Sequence, residues 1–152
     1  MKILVDADGC PVVKEAVACA KSTKTEILLL CDTSHEIEYP GIQTITVAKG
    51  ADSVDYALVN LIKKGDIVVT QDYGLAAMSL ARGGRCVNQD GMEYTNENID
   101  ALLLFRHTSR KVRQSGGRLK GPHKRKKEQQ NKRFYEVLLS MISKSREEQT
   151  EI

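Results

Sequence analysis

Asp6 and Asp8 stand one residue apart at the end of the apolar run Ile3-Leu4-Val5, and Gly9, Cys10 and Pro11 follow at once. Asp52 and Asp55 lie three residues apart just after Gly50, a spacing that sets both on one face of a helix. Asp72 comes directly after Thr70-Gln71, which close a further apolar run. Carboxylates gathered in one place repel one another and are tolerated mainly where a cation neutralises them. Mg²⁺ and Mn²⁺ take oxygen ligands, keep several waters and need only a few carboxylates. Two such ions about 3.5–4 Å apart can activate a water and stabilise a leaving oxygen in phosphodiester cleavage. Asp6, Asp8, Asp55 and Asp72 are therefore the candidate catalytic residues and, with Asp52, the candidate ligands of Mg²⁺ or Mn²⁺. Thr70 and Gln71 are candidates to orient a ligand oxygen or phosphate.

Some of the acids have plainer roles. Asp52 at a helix start serves equally well as its N-cap. Asp66 precedes its strand and so belongs to the opposite sheet edge, as a turn residue. Asp90-Gly91 is a turn signal before it is a ligand. Asp6 and Asp72 have no such easy alternative, because a carboxylate ending a buried strand is seldom left without a partner.

The elements that must position these residues alternate. The runs 3–5, 26–31 and 66–70 have no polar alternation, as strands of a parallel sheet buried on both faces require. Ile42–Val47 and a short stretch over 85–88 complete the predicted strands. Helices are predicted over 12–21, opened by Pro11, over 50–64, closed by Lys63-Lys64-Gly65, and over 75–82, closed by Gly83-Gly84. Thr95 to Asn98 form an N-cap cluster for a helix through Ile99, Leu102 and Leu103. Phe134, Val137, Leu138, Met141 and Ile142 form the stripe of a last helix, with fraying expected after Lys144. This order predicts a three-layer α/β fold, a mainly parallel central sheet flanked by helices, with the acids at the edge where open α/β sheets bind ligands. The expected organisation is one α/β domain over residues 1–105, a basic helix end and loop over 106–133, and an amphipathic helix with a frayed tail over 134–152, packed on the same domain.

Charge divides the chain in two. Residues 1–105 carry 9 Lys and Arg against 15 Asp and Glu, whereas residues 106–133 carry 12 against one. Sequence-independent affinity for nucleic acid comes from such Lys/Arg sets on phosphates. Arg106, Arg110, Lys111, Arg113, Arg118, Lys120, Lys124, Arg125, Lys126 and Lys127 are the candidate contacts, with RNA as the expected partner. The four cysteines show no ligand spacing, and carboxylates beside Cys10 would raise its pKa and blunt it as a nucleophile. No apolar run approaches the roughly 20 residues of a membrane span, and the chain opens straight into a strand rather than a signal peptide. A cytoplasmic protein with no membrane partner is expected; the sequence leaves the oligomeric state open, a homodimer included.

Four segments carry a resemblance: Val5 to Val12, Gly50 to Asp55, Gly65 to Ala76, and Gly91 to Ile99 with Tyr94, Thr95 and Asn98. They resemble the bacterial YaiI/YqxD family, whose function is uncharacterised, over nearly the whole chain to about Ser143. That family is in turn similar to PIN-like and NYN ribonuclease domains, which depend on divalent metal. The resemblance implies that Asp6, Asp55 (or Asp52) and Asp72 match the acids those domains carry in that order. The usual glutamate between them has no clear match, since Glu36 and Glu38 fall in a loop, and Asp8 can replace it. The expected function is thus a metal-dependent ribonuclease. One alternative is a haloacid-dehalogenase-like phosphatase, which Asp6-Ala7-Asp8 fits locally although Gly65-Asp66 precedes its strand instead of following it. The other is a non-catalytic RNA-binding protein.

Overall fold

Three apolar runs lie side by side in the middle of the fold because each can be covered on both faces. In the computed structural model they are β1 (Lys2–Asp6), β2 (Glu26–Asp32) and β4 (Ile67–Val69). With β3 (Gln43–Val47), β5 (Arg85–Val87) and β6 (Glu93–Tyr94) they form one sheet in the order β3-β2-β1-β4-β5-β6. All neighbours pair in parallel except β5 and β6. The helices are α1 (Val13–Thr23), α2 (Ser53–Leu61), α3 (Tyr73–Ala81), α4 (Ile99–Gln114) and α5 (Lys127–Thr150). The structure describes residues 1–34, 37–50, 53–114 and 126–150, and describes side chains outside 107–114.

Side chains of a strand alternate between faces, and the core divides accordingly. Ile3, Val5, Leu29 and Cys31 pack under α1 and α5, with Val17, Phe134 and Leu138. Leu4, Leu28, Leu30 and Val68 pack on the other face, with Leu58 of α2, Leu75 of α3 and Ile99 of α4. The predicted three-layer α/β fold is what the chain adopts. No described helix is long and apolar enough to cross a membrane.

The structure differs from the sequence reading at both ends of the last helix. Helix α5 begins at Lys127, seven residues before its first core side chain, Phe134, and it continues to Thr150. Fraying after Lys144 is not observed, because polar contacts hold that end down. The buried Ser145 hydroxyl donates to the Gly65 carbonyl at 2.6 Å, and Arg146 donates to the Thr23 carbonyl at 2.6 Å and to Thr25 Oγ1 at 2.8 Å. Gly65 has a φ of +89°, and a Cβ there would stand 3.2 Å from Gln149 Nε2. Glycine thus serves both the turn and the seat of α5. The two-residue antiparallel β6 is a further addition; the sequence reading placed no strand there.

Asp66 lies at the opposite sheet edge, as expected, but it does more than turn the chain. It is buried, and its carboxylate accepts from the Lys2 backbone N–H at 3.0 Å, Lys2 Nζ at 2.5 Å and the Lys63 N–H at 2.8 Å. The expected N-cap at Thr95 is a reciprocal pair. Asn98 N–H donates to Thr95 Oγ1 at 3.2 Å, and Thr95 N–H donates to Asn98 Oδ1 at 2.9 Å.

Candidate functional site

The C-terminal ends of β1, β2 and β4 and the starts of α2 and α3 meet around one open pocket of about 420 Å³. Asp6 ends β1 and Asp8 follows in its turn; Asp55 lies in the first turn of α2, and Asp72 is the N-cap of α3. All four line the pocket, as does Gln71. A fifth acid, Asp32 at the end of β2, joins them. Sequence reasoning passed over Asp32, although it closes an apolar run just as Asp6 does.

Thr70 ties two of these acids together. It is 1% exposed, donates from Oγ1 to Asp6 Oδ2 at 2.9 Å and accepts from the Asp72 N–H at 3.0 Å. Its hydroxyl is therefore engaged in positioning carboxylates, and Gln71 is held as well, its Nε2 donating to the Gly9 carbonyl at 2.9 Å. Tyr94, which sequence reasoning also missed as a contributor, donates its hydroxyl to the Thr70 carbonyl at 3.2 Å. Asp72 Oδ1 caps α3 by accepting from the Leu75 N–H at 3.1 Å. Asp8 Oδ1 accepts from the Asp32 N–H at 3.2 Å, joining the turn after β1 to the end of β2.

The carboxylates press on one another. Burial, then repulsion from Asp55, Asp8 and Asp72, pushes the Asp6 carboxyl up to about 6, against the lowering effect of the Thr70 hydrogen bond. Thr70→Val is expected to remove that opposing effect, so the Asp6 pKa should rise further. Stability at neutral pH should fall by about 1–2 kcal/mol for the lost hydrogen bonds. NMR titration of the Asp6 carboxyl together with urea unfolding checks both; an unmoved Asp6 pKa would refute the assigned contact.

A hard divalent cation fits the chemistry of this donor set, which is entirely oxygen. Among the described residues no group of three His, Cys, Asp or Glu side chains is placed to hold an ion by itself. Asp52 lies outside the described residues, and Asp90 does not line the pocket.

Of the basic candidates, Arg106 comes to the site itself. Its Nη1 lies 3.6 Å from Asp72 Oδ1. Lys126 and Lys127 are exposed around the start of α5. Arg118, Lys120, Lys124 and Arg125, and the side chains of Arg110, Lys111 and Arg113, lie outside the described residues.

A family model described as "Uncharacterized BCR, YaiI/YqxD family" matches residues 4–144. A relative from Exiguobacterium sibiricum, named only UPF0178 protein, is 51% identical over 129 residues, covering 85% of this chain and 88% of its own. A UPF0178 protein of Clostridium tetani is 44% identical over 146 residues, covering 96% and 99%. One from Ruminiclostridium cellulolyticum is 46% identical over 142 residues, covering 93% and 92%. No solved structure matches the chain.

Proposed function

The chain belongs to the YaiI/YqxD family, and from that premise we propose that it is a divalent-metal-dependent ribonuclease acting on single-stranded RNA in the cytoplasm. The observation that carries this reading is the convergence of Asp6, Asp8, Asp32, Asp55 and Asp72 on one pocket, at the edge where three parallel strands end. Asp6 and Asp72 would hold the main Mg²⁺ or Mn²⁺, with Asp8 and Asp55 serving a second ion or the attacking water. When bound, the metal supplies charge neutralisation for the phosphate and a more acidic water. The chain's own groups do the rest. Burial and its acidic neighbours push the Asp6 carboxyl up to about 6, leaving a charge that a bound cation would stabilise, and Thr70 fixes the direction of its carboxylate. Arg106 offers the phosphate a cation beside Asp72.

Asp6, Asp55 and Asp72 follow one another in the order in which PIN-like ribonuclease domains carry their acids, and Asp32 supplies one more. The phosphatase alternative is less favoured, because Asp66 is engaged with Lys2 and Lys63 at the far edge of the sheet.

Purified protein with Mn²⁺ or Mg²⁺ is expected to cut single-stranded RNA. Asp6→Asn and Asp72→Asn should each lower the rate by about 100-fold or more. Asp6→Asn is the sharper probe, since it is expected to leave the neutral-pH fold intact. Cutting by both variants at the wild-type rate would mark a contaminant and overturn the assignment. Release of phosphate from small phosphomonoesters, lost in Asp6→Asn, would favour the phosphatase instead.

A further inference from the structure

The acid pocket does not end at Asp55 and Asp72. The same two side chains border an adjoining hollow of about 240 Å³, whose other walls include Tyr56, Gly74, Met78 and Arg106. That volume falls below the about 300–1,000 Å³ of pockets for drug-sized ligands, and gives room for a fragment of a longer ligand. Tyr56 is 64% exposed and Met78 is 38% exposed, an aromatic and a thioether turned to solvent beside a row of carboxylates. Neither belongs to the buried core of the sheet.

Arg106 lines the second hollow and reaches Asp72, which borders both. Its side chain is 46% exposed, so its contact with Asp72 is a solvent-screened pair that a phosphate can replace. Gly74 clears the way for it. A Cβ at that position would stand 3.2 Å from Asp72 Oδ1 and 3.3 Å from Arg106 Nη1, tighter than ordinary contact. A bare backbone there lets the guanidinium reach across the start of α3.

We propose that this hollow seats one base of the RNA strand, immediately beside the bond held in the acid pocket. The Tyr56 ring stacks on the base, Met78 lines the seat, and Arg106 exchanges Asp72 for the phosphate linking that nucleotide to its neighbour. Every base has a flat π-face, so stacking of this kind grips single strands with little regard to sequence. The inference rests on the ribonuclease reading for its ligand and goes beyond it in naming a base subsite.

The test is equilibrium binding of a labelled single-stranded RNA hexamer by the full chain, with Ca²⁺ in place of Mg²⁺ so that binding is read apart from cutting. Tyr56→Ala should weaken binding by about 5- to 150-fold. Tyr56→Phe should bind as the wild type does, since the ring and not the hydroxyl does the stacking. Hexamers with a single abasic residue, scanned along the strand, should include one position that weakens wild-type binding and costs Tyr56→Ala nothing more. Arg106→Gln should reduce the log–log salt slope by about 0.7. Phe105→Ala, at an exposed aromatic that lines neither hollow, should change nothing. Tyr56→Ala binding as tightly as wild type, or no abasic position coupled to it, would overturn the subsite, as would a wild type that does not bind the hexamer. The two readings fail separately. A hexamer that binds through Tyr56 but is never cut in Mg²⁺ or Mn²⁺ removes the ribonuclease and keeps the subsite; cutting that ignores Tyr56→Ala does the reverse.

Discussion

Phe134→Ala is expected to lower the free energy of unfolding by about 3–5 kcal/mol, a large share of the 5–15 kcal/mol available to a domain of this kind. Phe134 is fully buried, and with Leu138, Met141 and Ile142 it forms the face of α5 that closes one side of the sheet. In the same cluster lie Val13, Ala16 and Val17 of α1 and Ile3 and Val5 of β1. Truncating the ring leaves a cavity that close-packed neighbours fill only in part. Urea unfolding followed by circular dichroism measures the loss. Tyr135→Ala is the internal comparison, because that ring is only partly buried and its hydroxyl reaches Ser22 Oγ at 3.3 Å. A loss below about 1 kcal/mol at Phe134 would mean that α5 lies loosely on the sheet and contributes little to the fold.

Asp6→Asn is expected to act in the opposite direction at neutral pH. The native carboxyl sits near 6, against an ordinary value of 3.8, so between those values the native state holds a proton that the unfolded state has lost. Stability contributed by this group is therefore complete below about pH 4, falls as pH rises and is lost above about pH 6. The ceiling on the loss is about 3 kcal/mol. Asparagine carries no charge at any of these pH values, so the variant should be the more stable protein at pH 7, and the difference should vanish by about pH 4. Metal should close the gap from the other side. At ten times its dissociation constant an ion that binds only the native state adds about 1.4 kcal/mol, and Asp6→Asn should lose most of that response. Sodium chloride at matched ionic strength separates screening from coordination. A variant that is less stable at pH 7 and responds fully to metal would make Asp6 a structural acceptor for Thr70, with no part in holding an ion.

The alternation of strand and helix was legible because a strand covered on both faces must be apolar throughout, and 3–5, 27–31 and 67–69 are. Asp6 and Asp72 were singled out because each closes such a run, but Asp72 turns out to have the plainer use as well, as the N-cap of α3. Asp32 satisfies that test as well as Asp6 does, and was passed over only because no motif surrounds it. Strand β6 left no periodic trace, since two residues cannot alternate, and its partner Cys86–Val87 is scarcely longer. The start of α5 was hidden in a Lys-, Glu- and Gln-rich stretch that holds no apolar side chain, so no stripe exists before Phe134. Its end was hidden for a different reason. Ser145 and Arg146 read as a polar tail, and only the distant carbonyls of Gly65 and Thr23 turn them into anchors. Arg106 illustrates the limit of charge counting: it heads a basic segment in the sequence, yet in the fold it stands beside Asp72 and lines the hollow next to the acid pocket.

Strand β4 is three residues long and pairs with β1 through Ile67, Val68 and Val69. At one end of that pairing Asp66 grips Lys2; at the other Thr70 grips Asp6. The two strands are bolted together at both ends, and a slip of one residue would undo both fastenings and turn Leu4 toward the wrong helix layer. Asp6 is thus the tip of a rigid bar, unable to shift along the strand axis to meet a ligand. Accommodation of a substrate falls to side chains that reach the cleft from the helices, the exposed Tyr56 of α2 and the half-exposed Arg106 of α4. The cleft is built as an anvil of fixed height with its jaws on the helices.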